Sequence, residues 1–186
     1  MNAKQHFLVG SSLALLTALG AAHGALPPAP PAEAARVARV VDADTYDVVA
    51  GGQRIRVRLL GVDAPEHDQP FGRQATDSVA ALLPVGRLVQ LRRHGVDLYG
   101  RTLGSLTLPA AGTRGPVPLD SLLVVRGWAW AYDPAHAVAG RAAQQVAAQR
   151  ASRGLWRCGA AGAVPPKLWR SFNAQNKRRY GAGCSW

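Results

Sequence analysis

Apolar and polar positions alternate most regularly around residue 56. Ile55, Val57 and Leu59 fall on one face of an extended segment, and Arg54, Arg56 and Arg58 fall on the other. That period of two is the signature of a half-buried strand over Arg54 to Leu60. β-branched residues also dominate Val37 to Val41 and Thr45 to Val49. Three strands are therefore predicted in succession, the last two joined at Gly51-Gly52, a hairpin signal. Leu88 to Leu91 and Thr102 to Leu108 read as two more. Helical spacing runs from Pro70 to Leu83, with Ala75, Val79, Leu82 and Leu83 apolar and Pro84 ending it. Leu119 to Val125 is predicted as a short helix stopped by Gly127. A third helix follows Asp133-Pro134, carrying a stripe of Ala139, Ala142, Ala143, Val146 and Ala147 and stopping at Gly154. There is no internal repeat. The fold class expected is α+β, mainly β: a closed five-stranded barrel of the OB-fold type with about three helices.

Both ends depart from this pattern. Lys4 opens a short polar region, Phe7 to Leu19 is apolar, and Ala22-His23-Gly24 presents small residues where a signal peptidase reads. Residues 1–24 are therefore expected to be a secretory signal, which makes the protein secreted or periplasmic. The apolar run is shorter than the roughly 20 residues of a spanning helix, and no later run reaches that length. No stable membrane partner is expected. Residues 25–35 (ALPPAPPAEAA) read as a Pro/Ala linker. The two cysteines, Cys158 and Cys184, can close a disulfide worth about 3–4 kcal/mol in an oxidising compartment. No neighbouring His or Cys supplies a four-ligand zinc pattern. Residues 158–186 form a basic extension with two open readings. Lys167, Arg170, Lys177, Arg178 and Arg179 add phosphate contacts, or the segment is a solvated tail tied back by the disulfide.

Charge narrows the function. The chain has 186 residues, 22 Lys and Arg against 11 Asp and Glu, and a net charge of +11. Such an excess points to a polyanion, either nucleic acid or an anionic membrane surface. Acids are scarce, yet Asp42, Asp44, Asp47, Asp63, Glu66 and Asp68 occupy two short windows. If the strands ending there are neighbours, their carboxylates converge and suit a hard divalent cation; otherwise they are solvated turn acids. Pro65 fixes a turn that lets the Ala64 carbonyl and Glu66 face one site. Arg58 and Arg101 are either surface arginines or a fork that clamps a phosphodiester.

Taken together, VDADTYDV (41–48), RLLGVDAPE (58–66), YGR (99–101), GWAWAY (127–132) and GLW (154–156) resemble the staphylococcal nuclease family. Their order and spacing fit over roughly residues 36–157, the expected nuclease domain. The resemblance implies an OB-type barrel and a secreted, calcium-dependent phosphodiesterase that cuts DNA and RNA with little sequence preference. It implies Asp44 and Asp63 as carboxylate ligands of Ca2+, Ala64 as a ligand through its carbonyl, and Asp42 beside the metal. Glu66 corresponds to the general base, Arg58 and Arg101 to phosphate-binding arginines, and Tyr99 and Tyr132 to the nucleotide pocket. Single-stranded or denatured nucleic acid, a monomer, and products with 5′-hydroxyl and 3′-phosphate ends are expected.

Three departures bear on nucleotide affinity rather than on cleavage. Leu98 stands where a lysine is usual, and Ala64 replaces a threonine. Ala135 and His136 lie where a second tyrosine is usual. His67, His94 and His136 have no motif support. A rival reading is a catalytically silent nucleic-acid-binding OB module, and another is an envelope protein held by its signal segment. The joint presence of Asp44, Asp63, Glu66, Arg58 and Arg101 favours the enzyme.

Overall fold

The alternation around residue 56 becomes the wall of a barrel in the computed structural model, which describes residues 30–113, 115–132, 138–182 and 184. The expected signal segment, residues 25–29 of the linker, and Asp133, Pro134, Ala135 and His136 lie outside the described residues. Strands β1 (Ala32–Asp42), β2 (Thr45–Ala50) and β3 (Gln53–Leu59) form an antiparallel meander. After the two-residue strand β4 (Val62–Asp63) and helix α1 (Gly72–Leu82) come β5 (Leu88–Val96) and β6 (Thr102–Leu108). β1 pairs with both β2 and β5, and β6 with β5. Parallel pairing of β3 with β6, Val57 opposite Thr102 and Leu59 opposite Gly104, closes the five-stranded barrel. Gly104 sits tightly at this seam, where a Cβ would meet Leu91 and Val57 side-chain carbons at 3.0 Å. Val37, Tyr46, Val48, Val57, Leu59, Val89, Leu91 and Leu106 fill the interior, the inward phase of each strand.

Two strands extend past their sequence signal. β1 begins at Ala32, inside the segment expected as linker, because Ala32 to Arg36 pair with β5 from Arg92 to Leu88. Alanine and glutamate carry little strand signal; the partner's hydrogen bonds supply what the side chains do not. β5 runs on through the exposed polar residues Arg93, His94 and Gly95, with a register shift between Arg93 and Gly95.

Next along the chain come β7 (Val117–Pro118), α2 (Leu119–Arg126), β8 (Trp130–Ala131) and α3 (Arg141–Arg150). Gly127 ends α2 in the left-handed conformation, as expected. The expected stripe on α3 is overturned: Ala139, Ala142, Ala143, Val146 and Ala147 are exposed, and only Ala148 is buried. Polar contacts choose the inward face instead. Arg141 Nε donates to the buried Asp120 at 2.5 Å, Gln144 to Ser121 Oγ at 2.8 Å, and the Ala131 N–H to Gln145 at 2.8 Å. Alanines bury little area, whereas a buried carboxylate must be paired. Nor does Gly154 stop this helix; α3 ends at Arg150, and Gly154 opens a separate turn over Gly154–Trp156.

The C-terminal extension is not a solvated tail. It folds into α4 (Pro166–Ser171) and α5 (Ala174–Gly181), and a Cys158–Cys184 disulfide with Cα atoms 6.0 Å apart closes it. Trp169 is only 2% exposed.

Candidate active site

The turn from β1 to β2 carries Asp42 and Asp44. The Asp44 carbonyl accepts from Leu59 N–H at 2.9 Å, which sets that turn beside the end of β3. β4 then presents Asp63, held opposite Trp130 of β8. Trp130 packs edge-on against Trp156 with centroids 5.2 Å apart, which ties the GWAWAY segment, paired with β4, to GLW. The two acidic windows do converge. The Ala64 N–H donates to Asp44 Oδ2 at 2.7 Å, and the Asp44 N–H donates to Asp42 Oδ1 at 3.1 Å. Arg58 pairs through Nη1 with Asp44 and through Nη2 with Asp63 at 3.0 Å, its side chain 16% exposed. Only the Nη2 contact is a hydrogen bond; Nη1 is buried beside Asp44 with no hydrogen-bond partner among the described residues, so most of the five guanidinium N–H groups stay open to a ligand.

Crowded carboxylates repel. Burial and then the Asp44 charge push Asp42 up to about 7. Burial and Asp44 likewise push Asp63 up to about 6, against the pull of Arg58 and Arg170. Burial works against the charge of Arg58, but Asp44, Asp63 and Asp42 outweigh it and raise its pKa. Beneath them Tyr46 is wholly buried and donates its hydroxyl to the Ala43 carbonyl; burial, with Asp44 and Asp42 adding, raises it well above its usual value.

Glu66 sits on the loop between β4 and α1, and Gln69 shapes that loop. Gln69 Oε1 accepts from Glu66 N–H at 3.1 Å, and Gln69 N–H donates to the Glu66 carbonyl at 2.9 Å. The first residue of α1 must be glycine, because a Cβ on Gly72 would lie 1.8 Å from the Glu66 carbonyl oxygen.

Arg101 immediately precedes β6, the strand that pairs with β3 at the barrel's seam. Asp97 orients it, accepting from its backbone N–H at 3.0 Å, its Nε at 2.7 Å, and the Tyr99 N–H at 2.8 Å. Burial opposes ionisation of Asp97, but those hydrogen bonds outweigh it and lower its pKa. Tyr99 is 84% exposed, with the Arg101 guanidinium 5.4 Å from its ring centroid. Tyr132 is tied by its N–H to the Gly61 carbonyl at 3.1 Å.

Asp42, Asp44, Arg58, Asp63, Ala64, Glu66, Tyr99 and Arg101 all border one open cleft of ≈ 580 Å³. Tyr132 does not line it. His67 and Arg170, the latter not among the expected site residues, do. Arg170 pairs with Glu66 and, at 3.5 Å, with Asp63. Gln69 and Asp97 were missed too, although Asp97 three residues before Gly100 is a turn signal. A smaller cavity of ≈ 170 Å³ under the extension, bordered by Gln69, Trp130, Leu155 and Tyr180, holds no such cluster of charges.

Among the described residues, no three His, Cys, Asp or Glu side chains are arranged to hold a metal ion. The expected donor set is smaller: two carboxylates, Asp44 and Asp63, and the Ala64 carbonyl. It fits a hard divalent cation in chemistry, being all oxygen and leaving further positions to water. Burial first, and then repulsion from Asp44, disfavour the charged form of Asp63, and a cation bound there would offset both.

Residues 56–158 match the family described as staphylococcal nuclease homologue. Over 127 residues the chain is 39% identical to a micrococcal nuclease of Shigella flexneri, covering 66% of this chain and 72% of that protein. Over 131 residues it is 35% identical to an uncharacterized endonuclease of Escherichia coli O157:H7, covering 70% and 80%. It is also 36% identical over 108 residues to the protein ParB of Escherichia coli, covering 56% and 60%.

Proposed function

This chain belongs to the staphylococcal nuclease family, and from that premise we propose that it hydrolyses phosphodiester bonds of DNA and RNA with low sequence specificity. The observation that carries the reading is the convergence of Asp44, Asp63, Glu66, Arg58 and Arg101 on one cleft. Asp44, Asp63 and the Ala64 carbonyl would hold Ca2+, and bound there it would supply Lewis-acid neutralisation of the phosphate. Glu66, on the cleft wall, takes or orients the proton of the attacking water, a contribution of about 10²–10⁴-fold. Arg58 and Arg101 donate to the phosphate oxygens and stabilise the charge added at phosphorus, about 10²–10³-fold for a single lost donor. Arg101 also stands ready to assist the leaving 5′ oxygen, which gives 5′-hydroxyl and 3′-phosphate ends. Tyr99, exposed at the rim, offers a stacking face that discriminates little among bases. An unpaired strand reaches this face more readily than a duplex.

The signal-like pattern in residues 1–24 and the Cys158–Cys184 disulfide support secretion or a periplasmic location. The test incubates purified protein with heat-denatured DNA and with RNA, in calcium, in magnesium and in chelator. Both substrates are cut in calcium and survive in chelator. Intact substrates in calcium would defeat the reading.

A further inference from the structure

The extension begins where the family match ends, at residue 158, and its side-chain anchors Asp68 and Gln69 sit on the loop that carries Glu66. Trp169 Nε1 donates to Asp68 Oδ1 at 2.9 Å, and Lys177 Nζ to Asp68 Oδ2 at 2.7 Å. The Lys177 ammonium also lies 5.3 Å from the Trp169 ring centroid. The Gln69 amide donates to the Val164 carbonyl, and the disulfide fastens the far end. Docking is thus provided by a buried indole, a carboxylate hub and a covalent bond.

Arg170 adds little to that docking. It is the residue after Trp169, and its side chain, 49% exposed, reaches over the cleft to Glu66 and Asp63. Half-exposed ion pairs contribute little to stability. The charge balance of the cleft gives the guanidinium another use. Four carboxyl groups (Asp42, Asp44, Asp63 and Glu66) border the cleft. Of the two expected phosphate-binding arginines, Arg58 already contacts two of those carboxylates and Arg101 spends its Nε on Asp97. With these two arginines engaged, Arg170 is a further cation facing a polyphosphate strand at the cleft. A planar guanidinium can exchange carboxylate for phosphate oxygens without changing its hydrogen-bonding geometry.

We propose that the C-terminal extension is an arm of the substrate site: Arg170 binds a phosphate of the nucleic-acid strand in the cleft, and the Cys158–Cys184 disulfide holds it there. The proposal rests on the cleft being the nucleic-acid site.

Fluorescence anisotropy of a fluorescein-labelled oligothymidylate, titrated with the full chain in chelator, tests it without cleavage. Arg170→Ala weakens binding about tenfold, the loss of one charge-assisted contact, and lowers the salt dependence by about one counterion. Arg170→Lys recovers part of the loss. Reduction of the disulfide weakens the wild type by a similar factor but leaves Arg170→Ala unchanged, because both changes remove the same contact. Wild-type affinity in Arg170→Ala overturns the proposal, as does tighter binding, which would make the arginine an obstruction. Equal weakening of both proteins on reduction overturns the role of the disulfide. The same preparations are assayed for cleavage in calcium. Arginine-dependent binding without cleavage removes the nuclease reading alone, and cleavage with arginine-independent binding removes this proposal alone.

Discussion

Arg58 and Glu66 share one cleft but stand in opposite relations to stability. The Arg58 guanidinium is the counterion of two buried carboxylates, Asp44 and Asp63. Arg58→Ala should therefore lower stability by about 3–5 kcal/mol as well as turnover, because it strands buried charge; chemical denaturation measures the first and a cleavage assay the second. An Arg58→Ala protein as stable as wild type would show that the pair is not the buried counterion described. Gly72 gives a second residue-scale expectation. Its Ala variant drives a methyl into the Glu66 carbonyl, and a displacement of about 1 Å near reacting groups costs about 10²-fold in rate. Wild-type turnover in Gly72→Ala would show that the loop yields harmlessly. The acids were legible in the sequence because so few occur and because they cluster. Gln69 was not, and Arg170 was legible only as one of five basic residues of the extension, not as a partner of Glu66. A lone amide has no pattern, and Arg170 acts on Glu66 across 104 positions of chain.

Among elements, those with a strong period were readable and those built by their partners were not. β3 alternates cleanly, so its inward and outward faces followed from sequence. β4, β7 and β8 are two residues each, too short to show any period. The α3 stripe misled because alanine is apolar but small, and the partner of Asp120 decided the helix's rotation. The β2–β3 hairpin carries a pH-dependent contribution of its own. Asp47, buried on the outer face of β2, accepts from Arg56 at 2.8 Å and 3.1 Å and from Arg54 at 3.1 Å. The Arg56 hydrogen bonds chiefly, against burial, hold Asp47 below its ordinary value. A depressed carboxyl contributes stability that is present above the unfolded pKa and is lost as pH falls through the folded one. Melting temperature should thus fall below about pH 4, and less steeply in Asp47→Asn, which keeps an acceptor but does not titrate. Equal slopes in the two proteins would count against this contribution. Comparing the pair isolates Asp47 from Asp42 and Asp63, whose raised values act in the opposite sense.

At the scale of the whole molecule, the charge of +11 is organised rather than spread. Four of the scarce acids border one cleft, which leaves the remaining surface more basic than the average and able to draw a polyanion inward. The cleft lies at the closing seam of the barrel: Arg58 on β3 faces Leu103 of β6, Arg101 immediately precedes β6, and both arginines border the cleft. The extension then covers one wall. Its basic composition reads equally well as a solvated tail; the burial of Trp169 and its hydrogen bond to Asp68 decide otherwise. The central claim is that this cleft is where a phosphodiester is hydrolysed. Glu66 tests it most directly, because it is partly exposed and its conversion to glutamine strands no buried charge. Steady-state turnover of heat-denatured DNA by Glu66→Gln in calcium should fall by at least about 10²-fold, with the melting temperature unchanged. Turnover equal to wild type in a fully folded Glu66→Gln protein would contradict it.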